Sequence, residues 1–122
     1  MWGPALFAEQ LRALGYEAKV DGEWVEFGYT APGGTHAGAE VALAVAVPAN
    51  FPITPPGGID FTPRMPGRRV NATAQHPERS HPSKRHGEAG EYWSRPHPAW
   101  NAEPKKDARA YLVWINTLWM ST

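Results

Sequence analysis

The chain has 122 residues and no cysteine, so it has the length of one domain and excludes disulfides, thiolate metal sites and thiol nucleophiles. Its formal charge is zero at pH 7 and 42% of its residues are hydrophobic, which is enough for a single core under an ordinary solvated surface. No apolar run approaches the roughly 18 residues that cross a bilayer. Met1-Trp2-Gly3-Pro4 carries neither the basic region nor the long apolar stretch of a secretory signal, and a cytoplasmic location is the expectation.

The zero net charge hides an asymmetry. Residues 1 to 63 hold Glu9, Glu17, Asp21, Glu23, Glu26, Glu40 and Asp60 against Arg12 and Lys19 alone. Residues 64 to 122 hold ten lysines and arginines against five acids. One part of the surface is expected to be acidic and another basic, a distribution that suits either oriented docking of charged partners or two solvated faces.

In chain order, Pro4 through Leu14 reads as a helix: proline fits its first turn, Phe7, Leu11 and Leu14 form an apolar stripe with Leu6 beside it, and Gly15 supplies the stop. Tyr16 to Val20 and Glu23 to Tyr29 flank the hairpin signal Asp21-Gly22. Pro32-Gly33-Gly34 turns the chain into Glu40 to Val47, where Val41, Leu43, Val45 and Val47 share one face and three alanines the other; a strand that can be covered on both faces belongs inside the sheet. Phe51-Pro52-Ile53-Thr54-Pro55-Pro56 leads to a short fourth strand, Ile59 to Thr62. From Pro63 to Pro104 no periodic pattern is visible, yet Tyr92, Trp93 and Trp100 are too apolar for a solvated linker, so this reads as a packed functional loop. Asp107 then caps a closing helix with Leu112, Ile115, Leu118 and Trp119 at helical spacing, flanked by Tyr111 and Trp114. The result is one α+β domain over residues 1–122: N-terminal helix, four-strand antiparallel meander, long active-site-type loop, C-terminal helix.

This order resembles the ubiquitin-conjugating enzyme superfamily, in a shortened form. The residues that carry the resemblance are Phe51-Pro52-Ile53-Thr54-Pro55-Pro56, similar to the family's aromatic-Pro-x-x-Pro-Pro turn, and Ile59-Asp60-Phe61-Thr62-Pro63, similar to its fourth strand. A His-Pro pair follows, His76-Pro77 or His81-Pro82, and then Trp100 ahead of a helix. The prolines have a physical reason there, since they fix φ and force the preceding residues extended, aiming the chain rigidly into the next strand. The stretch from Tyr92 through Trp100 is similar, more narrowly, to divergent bacterial conjugating-enzyme-like proteins. The resemblance implies a ubiquitin-like protein and an adenylating activating enzyme as partners, with Arg12, Trp93, Arg95 and Trp100 taking part in partner binding. No cofactor, no metal, no membrane and no nucleic acid are expected.

The chain departs from the family where the chemistry should be. The family's catalytic cysteine belongs between the His-Pro pair and Trp100, and the asparagine expected after His-Pro is Glu78 or Ser83. Two readings follow. In one, Ser94 carries an oxyester to the modifier's C-terminal carboxyl, His97 helps deprotonate it, and His76 belongs to the same catalytic segment; a serine hydroxyl needs such a base because it is hardly ionised at neutral pH. Ser80, Ser83 and Tyr92 are other oxygens in the segment. In the second reading the chain binds the modifier or its activating enzyme and performs no acyl transfer. Two further classes are weaker. His76, His81, His86 and His97, with Glu78, Glu88 and Glu91, invite a metal but match no zinc spacing. Arg64, Arg68, Arg69, Arg79, Lys84 and Arg85 near aromatic residues invite nucleic acid, yet no recognition motif accompanies them.

Overall fold

The computed structural model describes residues 1–65 and 80–122. Helix α1 spans Gly3–Ala13, with proline in its first turn, and buries Phe7, Ala8 and Leu11. Strands β1 (Ala18–Asp21) and β2 (Trp24–Thr30) form the expected hairpin, with Gly22 at φ +61° in its loop. Strands β3 (Glu40–Ala46) and β4 (Ile59–Thr62) follow antiparallel, and α2 (Ala108–Met120) closes the chain behind a true Asp107 cap, whose carboxylate accepts from Ala110 N at 2.9 Å. The α+β class, the two helices and the antiparallel sheet agree with the sequence.

The strand count is corrected. The sheet has six strands, not four, because β5 (Ser80–Ser83) and β6 (Gly87–Trp93) arise inside the segment expected to be a loop. Strand β6 docks against β4, with Ile59 opposite Trp93, Asp60 opposite Tyr92 and Phe61 opposite Glu91, so the order is β1-β2-β3-β4-β6-β5. Local pattern could not announce β6. Its sequence, Gly-Glu-Ala-Gly-Glu-Tyr-Trp, has few strand formers, and a register shift interrupts its pairing with β5 between Pro82 and Ser83. What holds it is non-local: the Trp93 ring enters the core.

Alternation sorts the sheet into two faces. Val25, Phe27 and Tyr29 from β2, Leu43 and Val45 from β3, Ile59 and Phe61 from β4, and Trp93 meet Phe7 and Leu11 of α1 and Tyr111, Ile115, Leu118 and Trp119 of α2. Three rings form the densest part. Trp93 lies 4.5 Å from Trp119 and 4.7 Å from Phe61, centroid to centroid, and Phe61 lies 5.0 Å from Trp119, in tilted or edge-on arrangements that suit aromatic quadrupoles. Tyr29 joins sheet to helix by donating to Asn116 Oδ1 at 2.6 Å, and Tyr111 donates to the Gly57 carbonyl. The β2–β3 loop lies on the C-terminal end of α2, where Gly34 (φ +79°) approaches so closely that any Cβ would collide with the Trp119 carbonyl.

The other face carries Trp24, Glu26, Ala42, Ala44 and Asp60. The turn of the β5–β6 hairpin reaches over it through Ser83, Lys84 and Arg85. Asp60, 1% exposed, accepts from Ser83 Oγ at 2.6 Å and from Lys84 N at 2.7 Å. Arg85 reaches further and donates to Glu26 Oε1 at 2.8 Å, with Asp21 at 3.5 Å and the Trp24 ring at 5.7 Å. Because Glu26 is on β2 and Asp60 on β4, this chain of contacts passes over β3 at Ala44, which is 1% exposed despite facing away from the helices. Gly90, on β6, lets the hairpin come this close: a Cβ there would strike the Phe61 carbonyl and crowd Ser83. Among the described residues no helix is long and apolar enough to cross a membrane.

Two outcomes are expected from this packing. Trp93→Ala should cost about 3–5 kcal/mol in urea unfolding, as truncation of a fully buried indole does, and should loosen β6 from β4; an unchanged midpoint would contradict the packing. The second concerns alkali. Burial raises the Tyr29 and Tyr111 hydroxyls above their ordinary value of 10, with the charge of Tyr16 and Tyr92 respectively adding to it. The unfolded phenols then ionise while the folded ones stay neutral, so stability is intact below pH 10 and falls as pH rises beyond it. Urea midpoints on either side of that pH should show the decline, and Tyr29→Phe should flatten it.

Candidate functional site

The segment from Ser94 to Asp107 connects β6 to α2, and it is where the sequence places the chemistry. Its course is fixed at closely spaced points. Arg95 N donates to the Trp93 carbonyl at 2.8 Å as the chain leaves β6, and Trp114 Nε1 of α2 donates to the Arg95 carbonyl at 2.9 Å. A single 3-10 turn, Trp100–Ala102, follows, with Ala102 N on Ala99 O and Glu103 N on Trp100 O, both at 3.0 Å. Lys106 Nζ then donates to the carbonyls of Asn101 and Glu103 at 3.3 and 3.1 Å. At the far end Ala108 N, one of the orphan donors of the α2 N-terminus, is taken by Gln10 Oε1 of α1 at 2.9 Å.

Trp100 connects this segment to the proline turn. It is 3% exposed, its Nε1 donates to the Pro52 carbonyl at 2.8 Å, and its ring lies 6.2 Å from Phe51 and 6.0 Å from Tyr111. The Phe51–Pro52 and Thr62–Pro63 peptides are cis. The two motifs noted separately in the sequence, the aromatic-proline turn and the tryptophan ahead of the helix, are therefore in direct contact. Trp93 is 0% exposed and Trp100 nearly so. Neither indole has surface to give a partner, so any part they take in binding runs through the surface they support.

His97 sits between the rings of Trp100 and Trp114, at 5.5 and 5.6 Å. Both its nitrogens are engaged. Nδ1 accepts from Ala99 N at 3.0 Å, and a nitrogen that accepts an N–H bond carries its lone pair, not a proton. The ring proton is then on Nε2, which donates to Glu103 Oε1 at 3.0 Å. In this arrangement the imidazole has no spare lone pair with which to deprotonate a serine. It would have to release the Ala99 amide first; Glu103 would then stabilise the imidazolium it became. Ser94, half-buried at the exit of β6, and Arg95, also half-buried, begin the same segment. His76, with Pro77, Glu78 and Arg79, lies outside the described residues, as does the side chain of Ser80.

The remaining candidates have other duties. Ser83 Oγ donates to Asp60 and accepts from the amides of Arg85 and His86 at 3.1 and 2.9 Å, which shapes the β5–β6 turn. Glu91 is fully buried and accepts from Met65 N at 3.0 Å and from Trp93 Nε1 at 3.2 Å. Among the described residues no three histidine, aspartate or glutamate side chains converge on a metal-sized space. Of the basic loop residues, Arg64 pairs with Glu88, Arg85 with Glu26, and Lys84 lies 4.4 Å above the Tyr92 ring; Arg68 and Arg69 lie outside the described residues. Arg12 gives Nη2 to the Ala18 carbonyl at 2.8 Å, so one of its donors is spent on β1.

Sequence reasoning missed Glu103 as the partner of His97, and Asp60 and Glu91 as buried carboxylates. The only sequence signal for Glu103 is its acidic side chain just past Trp100, in reach of His97 once a tight turn folds the segment back. The tautomer of His97 is directly measurable. A two-bond nitrogen–proton correlation spectrum is expected to place the ring proton on Nε2 at neutral pH, and a proton found on Nδ1 would contradict the Ala99 contact. Compared with known proteins, the chain matches no family model, no curated protein and no solved structure.

Proposed function

We propose that this chain is a non-catalytic binding member of a ubiquitin-like conjugation pathway, built on a ubiquitin-conjugating-like scaffold. It engages a ubiquitin-like protein or its adenylating activating enzyme without itself carrying the modifier, in a cytoplasmic setting. The N-terminal helix, the antiparallel run β1 to β4 with the proline turn between β3 and β4, and the closing helix support the scaffold, to which β5 and β6 add two strands, as does the contact between the proline turn and Trp100.

The observation that carries the choice between binding and catalysis is the state of His97. In a cysteine-free chain an acyl-carrying serine needs a base, and the imidazole nearest in sequence to Ser94 has its lone pair on the Ala99 amide and its proton on Glu103. Those bonds suit a segment held in one shape for recognition. The oxyester reading demands that His97 abandon one of them when partners dock.

The test uses the full chain with a ubiquitin-like modifier, its adenylating activating enzyme and ATP. Intact-mass measurement is expected to show no modifier-sized adduct on the chain, while sedimentation shows a complex with modifier or activating enzyme. An adduct that survives thiols, is released by mild base and vanishes in Ser94→Ala would establish the oxyester enzyme instead. Neither adduct nor complex would remove the chain from such a pathway.

A further inference from the structure

The outward surface where α1 ends and α2 begins combines basic side chains with exposed apolar ones. Three shallow depressions meet there around Arg109, the largest of about 340 Å³. Their apolar part is Leu14, 40% exposed, and Val113, 62% exposed, over Tyr16 and the buried Leu112. Their charged part is Lys105, Lys106 and Arg109 against Asp107 and, in one depression, Glu103.

Both carboxylates already have work within the chain. Asp107 caps α2 through Ala110 N, and Glu103 holds His97. Arg109 faces no carboxylate within ion-pair distance among the described residues, and Lys105 comes only within 3.9 Å of Asp107 while 89% exposed. The first turn of α2 holds no acidic residue beyond its Asp107 cap, so Lys105, Lys106 and Arg109 outnumber the two carboxylates at the positive end of the helix. An electropositive trough floored by leucine and flanked by exposed leucine and valine is complementary to an acidic segment with apolar anchors.

We propose that the trough bordered by Leu14, Arg109 and Val113 is a docking site for a short acidic peptide segment of a partner protein. Its carboxylates meet Arg109 and Lys105, and a leucine or phenylalanine lies between Leu14 and Val113 over Leu112. This stands on the charge and shape of the trough and does not rest on the conjugation reading.

The probe is a set of fluorescein-labelled octapeptides in which Asp and Glu alternate with Leu and Phe, titrated against the full chain. Saturable, salt-sensitive binding is expected, with amide shifts confined to residues 13–16 and 105–116. Arg109→Glu and Val113→Asp should each weaken it by about tenfold or more. Arg109→Glu places an acid in the first turn of α2, where the helix field favours it, so its melting temperature should hold or rise and lost binding is not lost folding. Four results would overturn the proposal. They are no binding by any peptide, equal binding when Leu and Phe are replaced by Ser, shifts centred on Lys84 and Arg85, or concentration-dependent shifts of the same residues without peptide, which would make a second copy the occupant.

Discussion

Strand β6 carries Trp93 into the core, and the hairpin behind it is held by a carboxylate that sees almost no water. Asp60 is on the face of β4 turned away from the helices, and it accepts two hydrogen bonds from the turn that doubles back over β6. A buried, unpaired carboxylate is costly, so these donors are what make the position tolerable. With the hairpin seated, β6 pairs with β4, Trp93 closes on Phe61 and Trp119, and α2 has a floor to lie on. One polar contact on the outer face and one aromatic cluster on the inner face thus hold the same strand from opposite sides.

That arrangement explains the order in which the chain becomes legible. The helices and the first four strands announce themselves through period: Phe7 and Leu11 along α1, Val41, Leu43 and Val45 along β3, Leu112, Ile115 and Trp119 along α2. The hairpin does not, because a strand that turns a glutamate and a tryptophan to the same buried face gives no alternation of polar and apolar residues. Its reason for being a strand resides in Phe61 and Trp119, and the latter is 26 residues downstream of Trp93.

The candidate site was legible in its parts and illegible in its wiring. His97 and Trp100 stand out in the sequence as residue types, and Trp100 does meet the proline turn that pointed to it. The bonds that decide what His97 can do run to a backbone amide two positions on and to a carboxylate beyond a 3-10 turn. Neither leaves a periodic trace, since a backbone donor is present at every residue but proline and a single tight turn has no repeat. A histidine's chemistry is set by its second nitrogen's partner, which composition does not reveal.

The guanidinium of Arg12 on the Ala18 carbonyl has a wider bearing, because β1 is one of the two borders of the sheet. A border strand presents unpaired amides and carbonyls, a template on which another chain can add a strand. Here a cation sits on one carbonyl of β1, and the opposite border, β5, contains Pro82, which has no amide hydrogen to offer. Both margins of a six-stranded sheet are thereby blunted against edge-to-edge growth. Backbone pairing at either border would have to displace a cation or accommodate a proline, a cost that contacts made through side chains on the helix faces would not carry.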